Sequence, residues 1–186
     1  MIILIRKRHV AYVVLLCCFV AGLSAVLWHG NAAFTAAFAP GEEGASPVVV
    51  VDAGHGGEDG GAVAADGTVE SGLNLAIARR VRDLLTFAGV PTTVTREGDA
   101  AIYDPGSATL REKKVSDLHN RVALVNELPG AVLLSIHQNS LPSSPSTRGA
   151  QVFWNRQEGA EELASSIQEA LNGAVNAGHE KKAAQV

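Results

Sequence analysis

The sequence predicts an α/β domain: a single, twisted, mostly parallel sheet with helices on both faces, preceded by an N-terminal membrane or signal segment. Short apolar runs, typical of strands buried on both faces, alternate with longer segments of helical apolar periodicity. Strands separated by helices need crossover connections, which favour parallel pairing. The composition agrees with this class. Of the 186 residues, 47% are hydrophobic and 18% are charged, which suits one globular domain with a membrane segment.

The N-terminus predicts export. Three basic residues (6–8) precede the uncharged apolar stretch 10–27, which has a length between that of a signal peptide and that of a membrane anchor. The flanking basic residues place the N-terminus inside and the domain outside, so we expect an extracytoplasmic protein that is either membrane-anchored or secreted. The predicted organisation is a signal or anchor at 1–30, a linker rich in Ala, Gly and Pro at 31–47, and a folded α/β domain at 48–186.

Apolar periodicity and turn residues predict the remaining elements. The predicted strands are 48–51, 92–95, 131–136 and 150–154. The predicted helices run from Glu70 to Gly89, from Ser116 or Asp117 to Pro129, and over 157–176. The apolar stripes of the first two helices are Leu73, Ile77, Val81, Leu84 and Ala88, and Leu118, Val122 and Val125. The intervening segment 97–116 is predicted as an exposed loop, and the tail from Gly178 as polar and without a strand pattern.

Three side chains at the ends of these elements predict a metal site. His55 follows the first strand between glycines, His137 ends the third strand, and Glu70 opens the first helix. Ligands of parallel sheets bind at the carboxyl ends of the strands. Two histidines and a carboxylate hold a catalytic zinc with one position free for water. The same residue types also hold iron for oxygen chemistry.

Simpler interpretations exist for each of these residues. His55 can be a solvated loop residue, Glu70 a first-turn glutamate that favours the helix dipole, and His137 a hydrogen-bonded core histidine. Asp52 either orients His55 or packs the strand end. Glu58 and Asp59 are predicted to be solvated loop charges.

Two more side chains are candidates near the site. Arg121 and Asn139 either contact substrate or brace the loop.

Charge and cysteine content exclude other classes. A net charge of −4 argues against binding of nucleic acid through a basic surface. The two cysteines, Cys17 and Cys18, lie in the N-terminal apolar run. The domain therefore has no disulfide framework, thiolate metal site or catalytic cysteine.

Several ordered motifs resemble one enzyme family. DAGHGG at 52–57, GTVE at 67–70 and SIHQN at 135–139, supported by 116–121 and 148–153, resemble zinc-dependent N-acetylmuramoyl-L-alanine amidases of the amidase-3 type. The resemblance covers roughly 48–176. It implies that His55, Glu70 and His137 bind one Zn²⁺, and that the substrate is the amide between N-acetylmuramic acid and L-alanine in peptidoglycan.

The resemblance extends to the N-terminal segment. This short segment without wall-binding repeats is similar to that of sporulation amidases, which act on spore cortex, and an activator protein is a candidate partner.

The resemblance also raises a question about catalysis. The family's general base is a glutamate in a late Val-Glu-x-Gly-Phe segment, which these 186 residues lack, and Glu180 is a poor substitute. We therefore expect a truncated chain that binds zinc with weak or no hydrolysis. The alternative is a non-catalytic zinc module that binds peptidoglycan or a partner.

Overall fold

A computed structural model describes residues 47–141, 143–144 and 146–186. Residues Pro47–Val186 form one compact unit. The predicted signal or anchor at 1–30 lies outside the described residues, as does the predicted linker apart from Pro47. Among the described helices, none has the length and apolar character needed to cross a membrane.

Three parallel strands form the main sheet. Strand β1 spans Val49–Ala53, β2 spans Thr92–Val94 and β3 spans Val132–Ile136, in the spatial order β2-β1-β3. Every residue of the central strand β1 is buried, as its continuous apolar run predicts. Ala53 pairs with Ile136 at the carboxyl ends of β1 and β3. This register brings the segments that carry His55 and His137 to the same edge of the sheet.

Three helices and a second, small sheet complete the described fold. Helix α1 (Glu70–Phe87) packs on all three strands, and α2 (Leu110–Asn126) precedes β3. Helix α3 (Ala160–Ala174) packs on β4 (Phe153–Trp154), which pairs in parallel with β5 (Ala184–Gln185). The predicted α/β class with parallel strand pairing is confirmed.

Helix α2 begins earlier than predicted. Its N-cap is Thr109, so the polar loop ends there and neither Ser116 nor Asp117 is the cap. The Thr109 hydroxyl accepts a hydrogen bond from the Glu112 amide (3.2 Å), and the Glu112 carboxylate accepts one from the Thr109 amide (2.9 Å). This capping box satisfies two amides that the helix leaves unpaired. The helix is therefore about two turns longer than predicted, and these turns include Lys113 and Lys114.

The buried faces of α1 and α2 are not their apolar stripes. In α1, Ser71 and Asn74 are buried, whereas Leu84 is 69% exposed. In α2, Asp117 and Arg121 are buried, whereas Leu118 is 61% exposed. Asn74 and Arg121 donate hydrogen bonds to carbonyl groups at the end of β1 and in the loop after it, which need donors when they are buried. Polar side chains are therefore buried there, and α1 also buries Leu75 and Ala78, which lie outside its predicted stripe.

The C-terminal elements also differ from the prediction. Strand β4 is limited to Phe153–Trp154, because the Asn176 side chain binds both the amide (2.7 Å) and the carbonyl (2.8 Å) of Ala150 and replaces strand pairing there. The tail contains a strand, since the Ala184 amide donates to the Val152 carbonyl at 3.0 Å.

Candidate metal centre

The loop after β1 holds His55 in an unusual backbone conformation. His55 has φ +63°, in the left-handed region that residues with a Cβ rarely adopt. Two buried guanidinium groups fix the loop by donating to its carbonyl oxygens. Arg96 donates to Ala53 (2.8 Å) and Gly54 (3.1 Å), and Arg121 donates to Ala53 (2.9 Å) and His55 (2.9 Å). These bonds offset the backbone strain and direct the His55 ring towards α1.

Two glycines make room for the histidine rings. A Cβ on Gly54 would overlap the His137 imidazole, with its Nδ1 only 2.7 Å away. A Cβ on Gly61 would lie 2.7 Å from both Glu70 Oε2 and His55 Cδ2. The two rings meet edge to face, with centroids 4.9 Å apart and an interplanar angle of 80°. Glycine at these positions is therefore a packing requirement of the site.

Glu70 is buried at the start of α1 and is held in its ionised form. The Ala62 amide donates to Oε2 at 2.9 Å, and the Gln138 amide donates to Oε1 at 2.9 Å. The Asn74 side-chain amide adds a third bond to Oε1 at 3.2 Å. Burial by itself raises the pKa of Glu70, but these hydrogen bonds outweigh it and lower the pKa to about 2. The group is a carboxylate at neutral pH.

The three predicted ligands converge. Glu70 Oε1 lies 3.3 Å from His55 Nε2 and 3.2 Å from His137 Nδ1. One ligand atom from each residue lies within 4.8 Å of the other two. Zinc binds nitrogen and oxygen ligands at about 2.0–2.2 Å, so two ligands of a tetrahedral ion are about 3.3–3.5 Å apart. The two short separations therefore fit neighbouring ligands of a tetrahedral zinc.

Asp59 is the carboxylate that meets the His55 ring, contrary to the prediction that it is a solvated charge. Its Oδ2 lies 3.0 Å from His55 Nδ1, and its Oδ1 lies 2.9 Å from Lys114 Nζ. Glu58 is also paired, with Lys113 Nζ at 2.6 Å. Burial raises the pKa of Asp59, but the His55 and Lys114 contacts outweigh this effect and lower it.

Asp52 packs the strand end instead of orienting His55. Its carboxylate accepts hydrogen bonds from the hydroxyls of Thr95 (2.7 Å) and Ser135 (2.6 Å) and from the Arg121 guanidinium. Burial opposes ionisation of Asp52, but these donors outweigh it and lower its pKa. The carboxylate thus ties β1 to β2, β3 and α2, which is the second of the two predicted alternatives.

Arg121 braces the loop. The Arg121 side chain is buried. Its Nε donates to the Asp117 carboxylate at 2.7 Å, and its other nitrogens donate to loop carbonyls and to Asp52. Asn139 is exposed two residues after His137. Arg96 was missed by sequence reasoning, although a charged residue two positions after β2, at the carboxyl edge of the sheet, was an available signal.

A cleft opens from the metal-competent group along the first half of α2. Its walls include His55 and His137 at one end and Tyr103, Leu110 and Leu118 further along. Lys113 Nζ lies 5.1 Å from the centre of the Tyr103 ring, within range of a cation–π contact. The cleft combines apolar and charged walls beside the histidines.

Comparison with known proteins agrees with this geometry. Residues 49–185 match the family profile described as N-acetylmuramoyl-L-alanine amidase. The chain is 34% identical over 124 residues to the germination-specific N-acetylmuramoyl-L-alanine amidase of Bacillus subtilis, covering 67% of this chain and 52% of that protein. It is 34% identical over 119 residues to the amidase AmiA of Escherichia coli, covering 64% of this chain and 36% of that protein.

A solved structure has the same fold. The CwlD amidase from Clostridioides difficile, solved in complex with the GerS lipoprotein, superposes with a TM-score of 0.71 at 32% identity, covering 75% of this chain and 72% of that one. The chain spans about half the length of the Bacillus subtilis relative. On the family match and these similarities, the chain belongs to the amidase-3 family of N-acetylmuramoyl-L-alanine amidases.

Proposed function

We propose that this protein binds one Zn²⁺ through His55, Glu70 and His137 and acts in hydrolysis of the amide between N-acetylmuramic acid and L-alanine in peptidoglycan. The observation that carries the proposal is the convergence of these three side chains, with ligand atoms within 4.8 Å of one another. The amidase names of the relatives give the substrate class.

The protonation of the site calls for a cation. An ionised carboxylate only accepts hydrogen bonds, so Asp59 requires a proton on His55 Nδ1. In neutral His55 the lone pair of Nε2 then faces the anionic Oε1 of Glu70 at 3.3 Å. Two acceptors at this distance repel unless a cation lies between them. A zinc ion satisfies this requirement, and so does a second proton on His55, which is why the test below counts zinc directly.

The residues of the chain have distinct parts in the chemistry. Zinc, when bound, supplies a Lewis acid that polarises the scissile carbonyl and lowers the pKa of bound water to about 7. Glu70 contributes negative charge, but the Ala62, Gln138 and Asn74 donors occupy both of its oxygens. This ionised carboxylate is suited to be a ligand, and while it binds zinc it is not free to act as the general base. The cleft along α2 would orient the muramoyl-peptide beside the histidines.

A second candidate function is a module that holds zinc and binds peptidoglycan without cleaving it. The engagement of both Glu70 oxygens favours it, because proton transfer from water to the leaving amine then needs another group. The expectation of weak or absent hydrolysis by these 186 residues remains a prediction.

We also propose the place of action and a partner. Peptidoglycan lies outside the cytoplasmic membrane, so the proposed substrate requires export, for which the basic and apolar segment within 1–30 is suited. Cortex remodelling during germination is the proposed setting, since one relative is named germination-specific. The structural relative was solved with a lipoprotein, which supports an activator protein as a partner.

The test uses the purified chain, stripped of metal and reloaded with zinc. We would measure bound zinc and the newly exposed N-terminal L-alanine after incubation with peptidoglycan, with His55→Ala as the control. One zinc per chain with zinc-dependent release supports the amidase. One zinc without release supports the non-catalytic module. A chain that binds no zinc contradicts both.

A further inference from the structure

The loop between β1 and α1 returns a carboxylate to the His55 ring. Gly56 and Asp59 exchange backbone hydrogen bonds of 2.8 and 3.2 Å and close a tight turn. Gly56 and Gly57 have φ values of +142° and +58°, which glycine adopts without steric cost. The turn places Asp59 Oδ2 at 3.0 Å from His55 Nδ1.

Helix α2 fixes this turn from the other side. Consecutive lysines of α2 pair with consecutive carboxylates of the loop, Lys113 with Glu58 at 2.6 Å and Lys114 with Asp59 at 2.9 Å. The two oxygens of Asp59 therefore have different partners, Lys114 on Oδ1 and His55 on Oδ2. With both oxygens engaged, rotation of the carboxylate away from His55 breaks the Lys114 ion pair and the hydrogen bond with His55.

We propose that Asp59, held by Lys114, is a positioning residue that fixes His55 in the Nδ1–H tautomer with Nε2 directed at Glu70 and His137. The inference rests on the zinc site of the proposed function and adds the group that orients one of its ligands. Carboxylates that accept from the second nitrogen of a metal-bound histidine fix its ring and strengthen it as a ligand. Lys114 is half exposed, so its contribution is smaller and screened by salt.

The first experiment reads the tautomer without metal. In the metal-free full chain, a long-range ¹H–¹⁵N correlation spectrum of the imidazoles reports which His55 nitrogen carries the proton. We expect Nδ1 of His55 to carry a proton in the wild type, and we expect the Nε2–H form to gain population in Asp59→Ala. A wild-type His55 in the Nε2–H form would overturn the proposal regardless of zinc binding.

The second experiment measures zinc affinity of the full chain by competition with a chromophoric chelator. We expect Asp59→Ala to weaken zinc binding about 10–100-fold and Lys114→Met to weaken it less. Asp59→Asn keeps an acceptor oxygen and should retain part of the affinity. The matched control is Glu58→Gln, which breaks the neighbouring ion pair without touching His55 and should leave the affinity unchanged.

The outcomes separate the two proposals. If the wild type binds zinc and Asp59→Ala binds it equally tightly, the positioning role is wrong and the zinc site stands. Equal losses in Asp59→Ala and Glu58→Gln also refute the role, because they would reflect general loosening of the loop. Thermal unfolding of each metal-free variant checks that it folds. If Asp59→Ala does not fold, the zinc affinity of Asp59→Asn and the His55 tautomer of the wild type test the proposal instead. A wild type without zinc affinity contradicts the proposed function itself.

Discussion

Replacement of Glu70 by glutamine tests the electrostatics of the site through the stability of the metal-free chain. The hydrogen bonds that lower the pKa of Glu70 from 4.5 to about 2 stabilise its ionised form in the folded protein. At about 1.4 kcal/mol for each tenfold change in proton affinity, this corresponds to about 3 kcal/mol of folding free energy at neutral pH. Glutamine keeps one acceptor oxygen but turns an N–H group towards a backbone donor, so most of this stabilisation is lost.

The pH dependence follows from the sign of the change. Because the pKa is lower in the folded than in the unfolded chain, the stabilisation is complete above pH 4.5 and disappears as the pH falls from 4.5 towards 2. We therefore expect Glu70→Gln to be about 3 kcal/mol less stable than the wild type at pH 7, with the difference shrinking across that window.

Urea unfolding in the presence of a chelator measures this difference at a series of pH values. The control is Glu161→Gln, which removes an exposed first-turn glutamate of α3 and should cost less than about 1 kcal/mol. A Glu70→Gln difference that stays constant between pH 7 and pH 3, or that matches the Glu161→Gln difference, would refute the reasoning.

Three further substitutions test the packing around the site. Gly54→Ala places a Cβ against the His137 ring and should weaken zinc binding at least about tenfold in a chelator competition, whereas Gly72→Ala, where a Cβ meets open space, should bind zinc like the wild type. Arg96→Leu leaves buried loop carbonyls without donors and should lower the free energy of unfolding in urea by more than about 3 kcal/mol; a loss below 1 kcal/mol would contradict its role. Thr109→Ala removes the capping box and should cost about 1 kcal/mol, seen as a lower thermal midpoint, with no effect on zinc affinity.

The sequence was sufficient to predict the main sheet and the convergence of the three ligands. The apolar run at 48–51 and the turn residues around 89–91 and 129–130 are local signals, and they located β1, β2 and β3 to within a residue or two. Parallel pairing then places the carboxyl ends of β1 and β3 side by side. His55 and His137 come together for this reason, and their role as ligands remains a proposal.

The buried polar side chains could not be predicted in the same way. Asn74 and Arg121 are buried because they supply donors to carbonyls of the loop after β1, at sequence separations of 20 and 66–68 residues. Hydrophobic periodicity carries no information about these long-range bonds, so it assigned the inward face of both helices to apolar residues. The start of α2 was placed too late but could have been predicted, because Thr109 and Glu112 have the spacing of a capping box.

Asp59 is a carboxylate that pattern reasoning did not connect with the His55 ring. Asp52, three residues before His55, was the candidate considered for orienting the ring, with strand-end packing as the alternative. The backbone instead turns through Gly56 and Gly57, which brings Asp59 back to the ring, while Asp52 is engaged by Thr95 and Ser135. Whether Asp52 or Asp59 reaches the His55 ring depends on the geometry of this turn. The positive φ values of Gly56 and Gly57 determine that geometry, and the sequence only suggests it.

The most direct test of the central claim is crystallographic diffraction from the zinc-loaded chain at the zinc absorption edge. We predict a single anomalous peak about 2 Å from His55 Nε2, from Glu70 Oε1 and from His137 Nδ1. A peak held by other residues, or none at this site in crystals grown with zinc, would contradict the claim that these three side chains form the metal centre.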